Sequence, residues 1–437
     1  MKKIIVSLLI LSGCVMAGSK STLVTDGSNE RSASELKTQI DAAVKALDKD
    51  GLFKLAMDLC DIPSPTGYEE AAAEMYHERM RQAGLHSTLQ PFAPGRSTVL
   101  GTYKGTGGGK TLMFIGHLDT FLRFDEKGQP NLKPPSAKIV DSKWVYGTGM
   151  SNMKGALAAY LAAVKAVKKA KIPLSGDVLI AGSAGAMQNS PVDEFQEGCY
   201  RGYAVGTQHM LVRGAVADMC VLGEPTKLDI VTQHFGHTHV KISIGPKRNA
   251  INSSAEIIRA LEEWTPDYQR RKTVAGMIPD VKVIAIKGGN PWRPWPAMDA
   301  DLYVHVETPP KELPITVKHE IRKVLNKVRK KNPELKVTAE LYATNPGAFV
   351  PEDNPIVTAV REAHTHTFGK APRIGAVNWH SDATHLNRYG VPTVNYGASR
   401  QTGPGVPGGD HLHVDDLVDM TRVYIDLIVR VCGASAL

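Results

Sequence analysis

The chain has 437 residues, 42% of them hydrophobic and 22% charged, and a formal net charge of +8. That length exceeds one small core and predicts two domains, and the composition is that of a soluble globular protein. No nucleic-acid partner is predicted. Part of the positive charge lies in one helix (Lys318, Arg322, Lys323, Lys327, Arg329, Lys330, Lys331), whose other face carries Ile321, Val324, Leu325 and Val328, with no aromatic residues between the charges. The five cysteines have no C-x-x-C spacing, so no zinc knuckle or redox pair is indicated.

Lys2-Lys3 followed by an apolar stretch over residues 4–11 reads as a targeting segment, far short of the roughly 20 residues a spanning helix needs. Leu11-Ser12-Gly13-Cys14 resembles the bacterial lipoprotein signal, in which the cysteine is lipidated; ordinary cleavage after Ala17 is the competing reading. Residues 15–35 form a polar tether. The expectation is an exported protein anchored to a membrane through Cys14, on the periplasmic or surface side of the cell envelope.

Residues 36–59 have helical apolar spacing, and the turn-rich Asp61-Ile62-Pro63-Ser64-Pro65-Thr66-Gly67 opens a second helix that Gly84 stops. Residues 98–104 read as a strand, and 112–115 as a buried central strand ending at Gly116. His117 and Asp119 then sit two apart at its C-terminal end, where open α/β sheets place their ligand sites. A histidine with a carboxylate two residues on is a metal-ligand pair; a strand-end histidine making an ordinary hydrogen bond is the alternative. A short strand over 142–146 leads into Gly147-Thr148-Gly149-Met150-Ser151-Asn152-Met153-Lys154-Gly155, and an alanine-rich helix follows over 156–170. Strands over 177–181 and 219–222 come next, the second ending at Gly223-Glu224-Pro225-Thr226. This alternation predicts a largely parallel sheet covered on both faces.

After residue 231 the pattern changes to strand 238–244, helix 250–264, strands 281–287 and 302–307, helix 314–331 and strand 335–342. This is the β-α-β-β-α-β order of a ferredoxin-like unit, inserted between the halves of the first domain. The chain rejoins that domain with a helix over 355–368, Trp379-His380-Ser381-Asp382-Ala383-Thr384, a strand over 392–396 and a final helix over 416–431. The predicted organisation is a signal over 1–14, a tether over 15–35, an α/β domain over 36–231 and 346–437, and a lid over 232–345.

Together these motifs resemble the co-catalytic zinc exopeptidases of metallopeptidase family M20, which include aminoacylases, carboxypeptidases, desuccinylases and tripeptidases. The resemblance rests on the order and spacing of the 62–67 loop, Gly116 to Thr120, Gly147 to Gly155, Gly223 to Thr226, Asn249-Ala250-Ile251, the double glycine within 286–296, and Ser381-Asp382-Ala383. It implies a three-layer α/β/α domain with an inserted ferredoxin-like α+β lid. It also implies two zinc ions held by histidines and carboxylates, and a glutamate that takes a proton from the bridging water. Position by position, it makes His117 the first zinc histidine, Asp119 the carboxylate that orients the site, and Glu224 a zinc ligand. The bridging aspartate is replaced by Asn152, the catalytic glutamate by Ala186 and its zinc-binding neighbour by Met187. A neutral amide adds no charge between two dications, alanine cannot carry a proton, and a thioether is a weak zinc ligand. The last zinc histidine is His411 or His413, with Asp415 four residues after the former. The family's lid histidine is missing from the 245–248 loop, and its third-strand arginine aligns with Tyr303.

The packing motifs therefore persist while the bridge, the base, one ligand and the lid histidine are gone. The expectation is a cleft suited to a peptide or N-acyl amino acid, zero or one zinc ion rather than two, and dinuclear hydrolysis lost or altered. The competing reading is an active peptidase or amidohydrolase with one zinc on His117, Glu224 and His411, its base drawn from Asp119, His380 or His385. The resemblance also implies a homodimer formed through the lid. Four further features are read more plainly. The Ser-x-x-Lys spacing of Ser151 and Lys154 is a coincidence of the Met-Lys-Gly turn, and His364 and His366 fall on different helix faces. His234, His237 and His239, at the junction with the lid, are read as solvated, with a peripheral metal site as the alternative. Trp292 and Trp295 line the cleft mouth or pack the lid.

Overall fold

The computed structural model describes residues 32–133, 136–187, 189–245, 249–292, 294–403, 406 and 408–434. The signal segment, Cys14 and most of the tether lie outside them, as do residues 246–248 of the shortened lid loop. The single helix expected over 36–59 is two, α1 (Ala33–Lys45) and α2 (Lys49–Asp61). Asp48 makes the break: its carboxylate accepts the Gly51 N–H at 3.0 Å and caps α2. Helix α3 (Glu70–Gln82) follows, and Gly84 ends it at φ +87°, a conformation that favours glycine.

The α/β domain continues with β1 (His86–Ala93), β2 (Arg96–Tyr103), β3 (Leu112–His117), β4 (Lys138–Val140), β5 (Trp144–Tyr146), a π-type turn (Met150–Lys154), α4 (Gly155–Lys169), β6 (Val178–Ser183), α5 (Val205–Leu211), β7 (Met219–Leu222) and β8 (Ile230–His234). The inserted unit comprises β9 (Gly236–Ile244), α6 (Ala250–Lys272), β10 (Val281–Gly288), β11 (Ala300–Thr308), α7 (Ile315–Lys331) and β12 (Val337–Asn345). The chain returns through β13 (Ala348–Phe349), α8 (Pro355–Phe368), β14 (Ile374–Val377), α9 (Ala383–Arg388), β15 (Thr393–Asn395), β16 (His411–His413) and α10 (Val414–Cys432).

The main sheet runs β1-β2-β6-β3-β7-β15-β8-β13, with β14 added beside β8. It is mixed rather than largely parallel. Its centre, β6-β3-β7-β15, is parallel, while β1, β2 and β13 join antiparallel towards the edges. Register places His117 opposite Ser183, Ile115 opposite Leu222, and Leu222 opposite Asn395, so the C-terminal ends of four neighbouring strands open side by side. Beneath them α4 is buried on nearly every side, between the sheet and α2 and α10, as an alanine-rich helix without a polar face must be. Phe114 on β3, Tyr160 on α4 and Tyr424 on α10 meet with ring centroids 5.0 to 5.2 Å apart. Burial of each ring contributes about 2 kcal/mol. The hydroxyls are satisfied by carbonyls, Tyr160 on Ile115 at 2.9 Å and Tyr424 on Tyr396 at 2.7 Å.

The four-stranded sheet of the insert has the order β10-β11-β9-β12. Period-two alternation divides its faces. Val240, Ile242, Leu302, Val304 and Val306 pack against Ile257, Leu261, Ile321 and Leu325 in a second core. His237, His239, Lys241, Tyr303, His305 and Glu307 occupy the other face. Helix α6 continues eight residues past the expected end at 264, through Pro266, because its last turns are anchored: Tyr268 is buried and its hydroxyl donates to the Glu307 carbonyl at 2.8 Å.

Candidate active-site cleft and a histidine cluster under the lid

His117 ends β3 and is buried. Its Nδ1 faces the Asp119 carbonyl and its Nε2 faces Oδ1 of Asn152, each at 2.8 Å. Both partners are acceptors, so the doubly protonated ring satisfies both. Burial opposes that charge, but Glu224, Asp119 and Asp382 outweigh it, and the His117 pKa is raised. Asn152 sits in the π-type turn, which is fixed from a distant part of the chain. Asp410 accepts the N–H groups of Gly149 (2.7 Å) and Ser151 (3.0 Å) and the Ser151 hydroxyl (2.7 Å). Ser151 is thus not paired with Lys154, whose ammonium donates to the Leu59 and Ile62 carbonyls at 2.9 and 2.8 Å. Burial lowers the Lys154 pKa to about 8.

Asp119 is fully buried and occupied. Its carboxylate accepts the Thr66 hydroxyl at 2.8 Å and the N–H groups of Ala186 and Met187 at 3.0 and 3.2 Å. Its nearest approach to the His117 ring is 3.6 Å, so the ring is oriented by the Asp119 carbonyl rather than by the carboxylate. The proline-rich loop brings Thr66 into place by backbone pairing, Thr66 N–H to Thr120 O at 3.0 Å and Thr120 N–H to Ser64 O at 2.9 Å. That loop is held in turn by a buried ion pair. Glu69 meets Arg96 at 2.6 Å, and Arg96 also donates to the Gly198 and Arg201 carbonyls. At positions 186 and 187 the polar groups are backbone donors, and both are taken by Asp119.

Glu224 follows β7, with its carboxylate 3.9 Å from Nε2 of His117. Burial pushes it up to about 7, against the pull of His117 and with help from Asp382 and Asp119. Asp382, at the start of α9, is the acid that sequence reasoning left unassigned. It is buried, its Oδ2 accepts from Thr207 and from Ser183 (3.1 Å), and its Oδ1 has no partner. Its pKa is raised, chiefly by burial. Only the fold brings it beside residues more than 150 positions away, and its place in a Ser-Asp-Ala motif was the one available signal.

His411 and His413 separate by environment. His413 is the N-cap of α10, its Nδ1 accepting the Asp415 N–H at 3.2 Å. His411 is buried on β16 among Trp144, Tyr146 and the Gly409 carbonyl, with Nε2 unpartnered. Among the described residues, no third His, Cys, Asp or Glu brings a ligand atom within 4.8 Å of both His117 and Glu224. Asn152, where the resemblance expects the bridging acid, is an amide turned onto His117, and Ala186 and Met187 carry no ligating acid, so the side chains at these positions offer no charge to a pair of zinc ions.

The histidines expected to be solvated are buried. His237 and His239 on β9 and His305 on β11 meet His380 and Tyr203 of the α/β domain in one ring cluster, with centroids 4.8 to 6.5 Å apart. Burial lowers His234, His237, His239 and His385 to about 4 and His305 to about 3. The sequence reading saw the H-x-H of β9 and missed the H-x-E of β11, which the antiparallel register sets opposite it. Tyr303 donates to Asp193, which also pairs with Lys241 at 2.6 Å. Trp292 and Trp295 stand largely in solvent, 92% and 73% exposed, outside the buried core of the lid. His364 is buried on α8, donor or acceptor to Tyr396 at 2.7 Å, while His366 faces Asp426.

The model of peptidase family M20/M25/M40 matches residues 113–430. The chain is 26% identical over 381 residues to N-formyl-4-amino-5-aminomethyl-2-methylpyrimidine deformylase of Bacillus subtilis (strain 168), covering 78% of this chain and 84% of that one. It is 26% identical over 403 residues to succinyl-diaminopimelate desuccinylase of Caulobacter sp. (strain K31), covering 87% and 96%. Among solved structures it resembles a tripeptidase from Staphylococcus aureus (TM-score 0.68, 16% identity, 88% of this chain and 99% of that one). A dinuclear metal-binding M20 peptidase from Bacillus subtilis gives a TM-score of 0.62 at 14% identity, over 88% and 98%. With its mixed α/β sheet, inserted lid and matched length, the chain belongs to peptidase family M20/M25/M40.

Proposed function

We propose that this M20 protein holds a peptide or N-acyl amino acid in the cleft at the end of its sheet and does not hydrolyse it through a dinuclear zinc centre. One observation carries the reading: Nε2 of His117, the nitrogen turned toward Glu224, is engaged by the Asn152 amide at the place of the family's bridging acid. The neighbouring positions support it, because Ala186 and Met187 direct only backbone N–H groups, and those onto Asp119. A proton shuttle needs a titratable group within hydrogen-bond reach of the reacting water, and neither residue has one. The protein is exported and anchored through Cys14, and the lid pairs two copies.

The test assays the chain, with zinc added, against N-formyl, N-acetyl and N-succinyl amino acids and short peptides, beside His117→Ala and Glu224→Gln. Calorimetry on the same compounds measures binding. The expected result is binding, with turnover no higher in wild type than in His117→Ala. Turnover that disappears in both variants overturns the reading in favour of a one-metal amidohydrolase.

A further inference from the structure

We propose that His237, His305 and Glu307 form a binding site for one divalent transition-metal cation of the zinc class, on the inner face of the lid sheet where it meets the α/β domain. None of the residues of the His117 cleft takes part, and the inference stands apart from the proposed function. It begins in the strand alternation. The register of β9 and β11 sets His237 opposite Glu307 and His239 opposite His305. His237, His305 and Glu307 therefore project from the same side of the sheet, away from the apolar core. One ligand atom from each lies within 4.8 Å of the other two, and this is the one such group of three among the described residues. His237 Nε2 is 3.9 Å from Glu307 Oε1, near the roughly 3.4 Å edge of a tetrahedral zinc site.

The site is enclosed, and among the described residues the hydrogen-bond partner of the His237 ring is the Asn378 carbonyl, 3.3 Å from Nε2, which a cation on that nitrogen displaces. The three residues are 3%, 7% and 5% exposed. Glu307 is held by the Asp280 N–H at 2.8 Å, and among the described residues no lysine or arginine pairs with it. Lys282, next to His305 in register, is engaged by Asp280. Nδ1 of His237 is buried without a partner. A buried carboxylate without a cation is costly, and two imidazoles with a carboxylate are the donor set that zinc, cobalt and nickel take.

The group lies on the side of the lid sheet that meets the other domain. His380 stacks on His237 at 5.3 Å and 17°, and both its ring nitrogens are buried and unpartnered. A cation here ties β9 to β11 within the lid, on the face that meets the α/β domain.

The test uses zinc alone on the full chain, followed by desalting. Wild type retains one ion per chain, and zinc raises its Tm. His305→Gln and Glu307→Gln each weaken zinc binding at least about a hundredfold and abolish the rise in Tm, while His117→Gln and Glu224→Gln leave both unchanged. Cobalt in place of zinc gives the visible bands of a four-coordinate site, lost in His305→Gln; that spectrum carries the decision if Glu307→Gln fails to fold. No retained ion in wild type, an ion kept by both lid variants, or an ion lost with His117→Gln overturns the proposal.

Discussion

His117 and Asn152 meet through Nε2 and Oδ1 at 2.8 Å, and that contact occupies the ring nitrogen turned toward Glu224. An aspartate at the same place would offer charge where the asparagine offers a neutral carbonyl. Asn152→Asp, Ala186→Glu and Met187→Glu made together therefore raise the zinc bound at this cleft, by up to two ions per chain, read by metal analysis after desalting. No gain means that these three positions are misaligned with the family's ligands.

Arg96 and Glu69 are buried together, and Arg96 also satisfies two carbonyls of the 198–201 segment. Arg96→Met leaves Glu69 uncompensated and unties the loop that presents Thr66 to Asp119. The expected cost is about 3–5 kcal/mol of unfolding free energy by chemical denaturation, with Arg270→Met, which removes only an exposed ion pair to Asp267, as the control that leaves stability nearly unchanged.

His234 is wholly buried and its pKa is lowered to about 4 by burial, although its Nδ1 lies on the Phe235 carbonyl at 2.8 Å. The unfolded chain takes up this proton near pH 6.5 and the folded chain only near pH 4, so stability falls as pH drops through that window. The full contribution is on the order of 3 kcal/mol. Denaturation of His234→Leu at pH 7 and pH 4.5 has a smaller difference than wild type; an equal difference means that His234 is not the group responsible.

Strand β10 is one of the two edges of the lid sheet and exposes Ile284 and Ile286, with Trp292 and Trp295 just beyond it. An edge of this kind is a template for pairing with a second copy. Ile286→Lys is expected to shift the sedimentation behaviour from dimer to monomer without lowering Tm by more than a few degrees. A wild-type chain that sediments as a monomer at high concentration removes the lid dimer.

Strongly periodic segments were legible in the sequence: the central strand, the alanine-rich helix, the order of the inserted unit and the final helix all carry unbroken apolar patterns. Strand β1 was not, because Pro91 and alternating polar residues suit an edge strand and resemble a loop. β4, β13 and β14 are too short to show a period. The cleft was legible where a residue sits in a motif, as His117, Asp119 and Glu224 do. It was not where geometry alone recruits a residue from afar, as with Asp382 beside His117, Asp410 under Ser151, or Glu307 across from His237. The lid histidines looked like a solvated face because a single strand does not reveal that another domain covers it.

The most direct test of the account is the zinc that depends on His117. Wild type and His117→Gln are incubated with zinc, desalted and analysed for metal side by side. The account predicts equal zinc in both, with any retained ion elsewhere in the protein. About two ions per chain in wild type that vanish with His117→Gln would contradict it, and would restore the dinuclear hydrolase that the family's fold was built to hold.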